Sequence, residues 1–385
     1  MTWLFWGCVV YFVYVYAGFP LLIVLRARLR PRPYGRERIE PKVSVVIAAY
    51  NEADVIEDKI ESVLGLDYPP ERLEVVIASD GSDDGTDEIV SRSGNGRVRL
   101  VRLGRVGKAA ALNAAVEAAE GDVLVFTDAN SILAEQAVRE LVEPLADPAI
   151  GGVAGNQVYF KPTSGDSSVV GEQQYWNFDR MLKQAQSAAG SVTGATGALY
   201  SIRRPLFRPV RADVNDDLLT SLRVIEQGYR LVFAPKAVAY EHVVATASQT
   251  FSRRVRVMAR GLRCIVVMRD LLDPRRYGFF SIQLLSHKLL LRTAVIPLAL
   301  LVAWNAVLWN HGWFYRAALI AQVCFYALGL FGIVLADRRF AKWKPFAIPA
   351  YFVLINAAAA KAIWQLLRGE KHERWTPRSS ADQAA

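Results

Sequence analysis

Asp80, Lys108, Asp128 and the pair Asp216 and Asp217 each stand where an apolar run gives way to a polar turn or where a helix opens. Asp128 follows Val123, Leu124, Val125 and Phe126, an unbroken β-prone run of the kind covered on both faces in a parallel sheet. The carboxyl edge of such a sheet is where ligands bind, and a carboxylate there can hold a divalent cation against a diphosphate. The same residue type also forms turns and caps helices. Asp80, with Gly81 after it, ends an earlier strand, where a carboxylate can accept hydrogen bonds from a nucleoside while glycine lets the backbone come close. Lys108 follows Gly107 into a helix N-terminus, and a cation there suits a phosphate, although an ordinary surface lysine has the same signature. Tyr50, Asn51 and Glu52 close the first strand and offer an aromatic face for a base and polar groups for its edge; such residues are also common in turns. Asp83 and Asp84 read as helix caps. Asp216 and Asp217 open the helix 218–227, and because adjacent helical residues point about 100° apart, only one of them can face a given pocket. Acidic residues are favoured at helix N-termini in any case. Order along the chain is what joins these positions: base pocket, carboxylate, phosphate cation, metal carboxylate, second carboxylate.

Positions of this kind need strands that hand over to helices, and residues 40–245 supply them. The segment 43–48 is a strand, followed by Ile56, Ile60, Val63 and Leu64 at helical spacing. Strands follow at 73–78 and 98–101, then an Ala-rich helix to residue 119 and the strand that leads to Asp128. This alternation specifies an α/β fold, a parallel sheet with helices on both faces. A Gly-rich stretch containing Gly190, Gly194 and Gly197 precedes a further strand at 198–202.

The rest of the chain is apolar or basic. At 385 residues more than one unit is expected, and 52% hydrophobic residues with a net charge of +9 suit a membrane protein with cationic cytoplasmic surfaces. The arginines cluster beside apolar segments, which favours a lipid bilayer as partner and no nucleic acid. Cys8, Cys264 and Cys324 are isolated, so neither a disulfide framework nor a zinc site is implied. Within 1–30, residues 3–25 carry no charge and exceed the roughly 20 residues a span requires. Arg26, Arg28, Arg30 and Arg32 follow, opposite to the charge order of a cleaved signal peptide, and they place the N-terminus outside and the 40–245 domain in the cytoplasm. In 246–290, Phe251, Val255, Met258, Leu262 and Ile265 form one helical stripe and Arg253, Arg256, Arg260 and Arg263 another, as a helix in the headgroup region requires; a solvated surface helix has the same pattern. The C-terminal membrane region, 291–368, contains spans at 293–315 and 317–336 joined outside through Asn310, His311 and Gly312, with the basic stretch 337–344 inside. The segment 345–360 is short of a span and Lys361 interrupts its extension, so three full spans and an irregular fourth are expected, with a basic cytoplasmic or disordered tail at 369–385. The implied location is the cell membrane, multi-pass.

Several motifs together resemble the family-2 inverting glycosyltransferases, in the membrane-integrated branch that holds cellulose, chitin-oligosaccharide and hyaluronan synthases. They are the run 43–52, the Asp80, Gly81, Ser82 turn, Gly107 and Lys108 with Asn113, the stretch 126–130, the helix start 216–223, and Ser286, His287 and Lys288 before a span. The resemblance covers nearly the whole chain from Val43 and implies the GT-A (Rossmann-like) fold with a nucleotide sugar, usually a UDP-sugar, as donor. It places Tyr50, Glu52, Asp80 and Gly81 at the nucleoside, Lys108 at the diphosphate, and Asp128 on Mg2+ or Mn2+. The metal motif of that family usually reads Asp-x-Asp; here the last position is Asn130, whose amide oxygen can ligate but brings less charge. Asp216 and Asp217 stand where Glu-Asp is common, and inverting transfer then assigns Asp217 as general base. Lys108, the metal and an arginine among Arg253, Arg254 and Arg256 would stabilise the leaving diphosphate. By the same resemblance Gly194 and Gly197 lie beside the acceptor, though a Gly-rich turn reads alike. His242 after a strand is either a metal ligand or structural. The Gln-x-x-Arg-Trp motif of processive relatives has no counterpart, since the nearest stretch, 253–258, lacks both Gln and Trp. Trp375 to Arg378 is similar to a short Trp/Arg motif of hyaluronan synthases. The implied activity is exopolysaccharide or oligosaccharide synthesis on a glycan or lipid acceptor, with a single transfer to a glycolipid or lipid carrier as the alternative and a non-catalytic membrane scaffold as a reading of another class. Intact Asp80, Asp128 and Asp217 argue against the scaffold.

Overall fold

A computed structural model of the chain describes residues 2–93, 96–160, 167–241, 247–335 and 343–370, for 167–176 and 247–249 as backbone only. His242, most of the basic stretch 337–344 and the Trp375 motif lie outside the described residues. The described residues divide into two compact units: a sheet unit from 26–93, 96–160 and 183–241, and a helical unit from 2–25, 167–182, 247–335 and 343–370.

The sheet unit contains eight strands: β1 (Val43–Ala49), β2 (Leu73–Asp80), β3 (Val98–Leu103), β4 (Val123–Phe126), β5 (Ile132–Leu133), β6 (Ile150–Tyr159), β7 (Tyr200–Arg203) and β8 (Arg230–Glu241), in the order β3-β2-β1-β4-β7-β6-β8-β5. The expected parallel sheet holds for the first four, with Val45 opposite both Val75 and Val125. Beyond β4 the sheet becomes mixed, because β7 runs antiparallel to β4 and β6, and β5 antiparallel to β8. Every residue of β1 and β4 is buried, which is why these strands read as runs that are apolar but for Ser44. Each buried Val or Ile there contributes roughly 1.5–3 kcal/mol. β6 has no such signal, since Gly151, Gly152 and Gly155 interrupt it. The glycines are dictated by packing: a Cβ on Gly151 would lie 2.5 Å from the Tyr229 side chain, and one on Gly155 2.8 Å from Leu199. The helix Lys108–Ala118 buries Ala109, Ala111 and Ala115, and these small side chains let it lie close to the sheet.

Thr2–Leu29, Trp313–Val334 and Lys344–Leu367 are long and apolar enough to cross a bilayer. Phe279–Thr293 and Val295–Val307 form a pair bent by 51°. The irregularity therefore sits at 293–295, inside the stretch expected to be a regular span, whereas the segment expected to be irregular is a continuous helix of 24 residues. Pro349 falls near its start, and the Lys361 ammonium stands 5.6 Å over the Phe251 ring, so the charge finds an aromatic face. The helix Ala247–Val267 buries Val255, Leu262 and Ile265 of the expected apolar stripe. Its arginines are half-buried: Arg254 donates to Tyr351 Oη at 2.9 Å and Arg263 to the Glu370 carbonyl oxygen at 2.8 Å.

Gly329 and Gly332 bring two helices into backbone contact. A Cβ at Gly329 would stand 2.8 Å from the Pro349 oxygen, and one at Gly332 2.9 Å from the Phe346 oxygen. Small residues serve this purpose in helix pairs within lipid. Gly332→Leu is expected to lower the detergent-solubilised melting temperature through overpacking of about 1–3 kcal/mol, whereas Gly7→Leu, where a Cβ meets nothing within 4 Å, is expected to leave it unchanged.

Candidate active site

The carboxyl ends of β1, β2 and β4 carry Tyr50, Asp80 and Asp128. Asp128 lies two positions past β4 on a loop whose start is fixed by the Thr127 N–H donating to the Val46 oxygen at 3.3 Å. Lys108, from the first turn of its helix, donates to Asp128 Oδ1 at 2.8 Å and stands 3.6 Å from Asp216 Oδ2. Burial opposes the Lys108 charge, but Asp128, Asp216 and Asp217 outweigh it and hold its pKa above the ordinary ammonium range. Asp217 opens the helix Asp216–Glu226 and its Oδ1 accepts from the Leu218 N–H at 2.6 Å. Burial first, then the Asp216 charge, push the Asp217 carboxyl up to about 6, against the Leu218 N–H and Lys108.

The Gly-rich stretch reaches the same place. A Cβ on Gly197 would stand 3.1 Å from Asp128 Oδ2. The Ala195 N–H donates to Ser221 Oγ at 2.9 Å, and Ser221 Oγ donates to the Asp217 carbonyl at 2.7 Å, so loop and helix are tied together. Gly194 is buried within this loop.

Tyr50 and Asp80 meet through a residue the sequence did not single out. Asp80 is fully buried; its Oδ1 accepts from the Val106 and Gly107 N–H groups, both at 2.7 Å, and its Oδ2 pairs with the Arg105 guanidinium. That guanidinium lies 3.4 Å from the centroid of the Tyr50 ring. Gly81, at φ 73°, permits the close approach, since a Cβ there would be 3.0 Å from the Arg105 nitrogen. Asp80 thus fixes the loop that delivers Lys108. Glu52 precedes the helix Ala53–Leu64, and its N–H donates to Thr86 Oγ1 at 2.9 Å. Asp84 serves the starts of two helices, accepting from the Thr86 N–H at 3.0 Å and the Ala53 N–H at 3.0 Å. Asp83 instead exchanges a pair of hydrogen bonds with the Asn51 side chain, at 2.7 and 3.0 Å.

Residues 44–211 match the family model "Glycosyl transferase family 2". The chain carries a family 2 glycosyltransferase domain. The poly-beta-1,6-N-acetyl-D-glucosamine synthase of Staphylococcus aureus (strain MSSA476) is 27% identical over 269 residues, covering 67% of this chain and 63% of that protein. The synthase of Staphylococcus epidermidis is 28% identical over 238 residues, 59% of this chain and 56% of that one. The chain therefore spans less than two thirds of the length of these curated relatives. The mannosyltransferase PcManGT from Pyrobaculum calidifontis, solved with GDP-Man and Mn2+, superposes at a TM-score of 0.74 and 26% identity, over 96% of this chain and 100% of that one. The sheet unit has the GT-A fold.

In this domain the Asp128 carboxylate and the Asn130 amide offer oxygen donors, as a hard divalent cation requires. The missing Cβ at Gly197 leaves room beside Asp128 Oδ2 that any other residue would fill. Among the described residues no group of three or more His, Cys, Asp or Glu is placed to hold an ion by itself. The set fits a cation whose other ligands are a bound diphosphate and water. Arg253, Arg254 and Arg256 belong to the helical unit. Sequence reading also passed over Lys59, which is completely buried in the sheet unit although it falls in the apolar stripe between Ile56 and Val63. Burial draws its ammonium down to about 7, against the pull of Asp128 and Glu241.

Proposed function

We propose that the transferase moves a sugar, with inversion, from a nucleotide sugar to a glycan or lipid acceptor at the cytoplasmic face of a membrane. The observation that carries this reading is the meeting of Lys108, Asp128, Asp216 and Asp217 against Gly197 at the carboxyl edge of the sheet. Tyr50 would stack on the base and Lys108 would bind the diphosphate. Asp128 and Asn130 would hold Mg2+ or Mn2+, which when bound neutralises charge on the leaving diphosphate. As the acceptor oxygen bonds to the anomeric carbon and the bond to the diphosphate breaks, the acceptor proton passes to the Asp217 carboxylate. Burial and the Asp216 charge make that carboxylate more basic than an ordinary aspartate.

Three helices of spanning length support the membrane location, as do the exposed aromatic side chains Trp3, Trp6, Trp309, Trp313 and Phe314, with Trp6 stacked on Phe314 at 5.7 Å. Aromatic residues collect at membrane–water interfaces. The staphylococcal synthases favour an exopolysaccharide as product. The absent Gln and Trp at 253–258 favour a single addition as the second reading. Purified protein should release nucleoside diphosphate from at least one member of a panel of UDP- and GDP-sugars in the presence of Mg2+ or Mn2+; no release across the panel would sink the proposal. Sizing the labelled product then separates a ladder from a one-sugar shift.

Arg105 covers Tyr50 and Asp80 at the place assigned to the nucleoside, so a base must displace its guanidinium. An exposed cation–π contact is worth about 0.5–1 kcal/mol, so Arg105→Ala is expected to tighten binding of the free nucleotide by about 2- to 5-fold. Equilibrium titration checks this.

A further inference from the structure

Directly beneath the Asp128 loop lies a buried charge that the reaction does not use. Lys59, 0% exposed, donates from Nζ to Thr127 Oγ1 at 2.7 Å and to the Ser131 carbonyl oxygen. These two acceptors flank the stretch that contains Asp128 and Asn130, and the Ser131 N–H closes the turn onto the Asp128 oxygen at 3.2 Å. Each acceptor also reaches onward. Thr127 Oγ1 donates to the Ala198 oxygen at 2.7 Å, next to Gly197, and Ser131 Oγ donates to Glu241 Oε1 at 2.8 Å. Glu241, itself buried, accepts from Gln157 Nε2 at 2.6 Å. The loop is clamped at both ends by one lysine and, through Ser131, backed by one carboxyl group.

Taking an ammonium and a carboxylate out of water costs several kcal/mol each, and apolar side chains of similar volume often serve stability as well or better. Stability alone therefore gives poor reason for Lys59 in a stripe otherwise filled by Ile56, Ile60 and Val63. Fixing the orientation of a loop whose side chains must converge on one small ion does give a reason, since partners one shell out set the direction of metal ligands. We propose that Lys59 is a positioning residue, which through Thr127 and Ser131 sets the Asp128 and Asn130 oxygens for the divalent cation. The inference rests on the metal reading of the proposed function. It adds that metal affinity depends on a lysine that touches neither metal nor substrate.

The test is nucleotide binding by the full chain in detergent, with UDP and GDP each titrated in EDTA and in Mn2+. Wild type is expected to bind one of them more tightly in Mn2+. In Lys59→Met that gain should shrink by about 10- to 100-fold, the usual effect of losing such a partner, while binding in EDTA stays within about twofold. Thr127→Val keeps the lysine and cuts one of its two ties to the loop, so it should show a loss of the same kind, smaller but above about twofold; it decides the matter if Lys59→Met does not fold. An undiminished Mn2+ gain in a folded variant overturns the inference alone. Equal weakening in EDTA and Mn2+ also overturns it, because a merely structural role would act on both. If wild type shows no Mn2+ gain, the metal reading falls and the inference with it.

Discussion

Asp217→Asn is expected to bind donor as wild type does and to transfer sugar about 10²- to 10⁴-fold more slowly, the range usual for loss of a general base. The amide oxygen can still accept from the Leu218 N–H, so the helix start is preserved and donor affinity serves as the control. Wild-type turnover in this variant would remove Asp217 as base. The pH dependence follows from the same geometry. Burial and the neighbouring Asp216 raise the Asp217 carboxyl to about 6, and only its ionised form can take a proton. Activity should fall as pH drops through about 6, a limb absent from whatever residual rate the variant retains. Stability has the opposite sign. A carboxyl whose pKa is raised by folding favours the fold while protonated, and that contribution is lost as pH rises from about 4 to about 6. Asp217→Asn, neutral throughout, should therefore melt above wild type at pH 8 and level with it near pH 4. A melting temperature below wild type at pH 8 would show that the charge holds the fold together and would undo this account.

The fully buried strands β1 and β4 were legible because a strand covered on both faces needs no alternation, and their runs are apolar but for Ser44. The residues at their ends were legible for the same reason, since Asp128 breaks an apolar run. The Ala-rich helix after Lys108 was legible from its small side chains, which pack on the sheet. β6 was not, because its glycines are selected by contacts with Tyr229 and Leu199 that are remote in sequence. β8 contains Pro235 and Lys236 midway, and its register against β6 shifts twice, so it lacks a steady pattern. Position 59 is a different case. Its spacing from Ile56 and Val63 placed it on the buried face, but a lysine there has no visible partner until Thr127, Ser131 and Glu241 are brought to it from elsewhere in the chain. Arg105 was hidden for the same reason: nothing local to residues 104–107 shows that Tyr50 and Asp80 will converge on it.

Lys108→Met is expected to have the second large effect, and a distinctive one. Three carboxylates, Asp128, Asp216 and Asp217, act on this one ammonium, and all three raise its pKa. On the proposed reading its loss removes a donor to the leaving diphosphate, which should cost about 10²- to 10³-fold in kcat, with weaker donor binding. It also removes the cation that holds the Asp217 pKa down, while the repulsion from Asp216 and Asp128 remains. The acidic limb of the rate profile should consequently move to higher pH than in wild type, and thermal stability should fall most at high pH, where the carboxylates are ionised and uncompensated. Lys108→Arg keeps the charge and should return the limb toward its wild-type position, even where the altered shape leaves turnover low. A rate profile of Lys108→Met with its acidic limb unmoved would mean that Lys108 does not act on the base. The lysine would then serve the diphosphate alone, and the coupling between donor binding and the basicity of Asp217 would have to be given up.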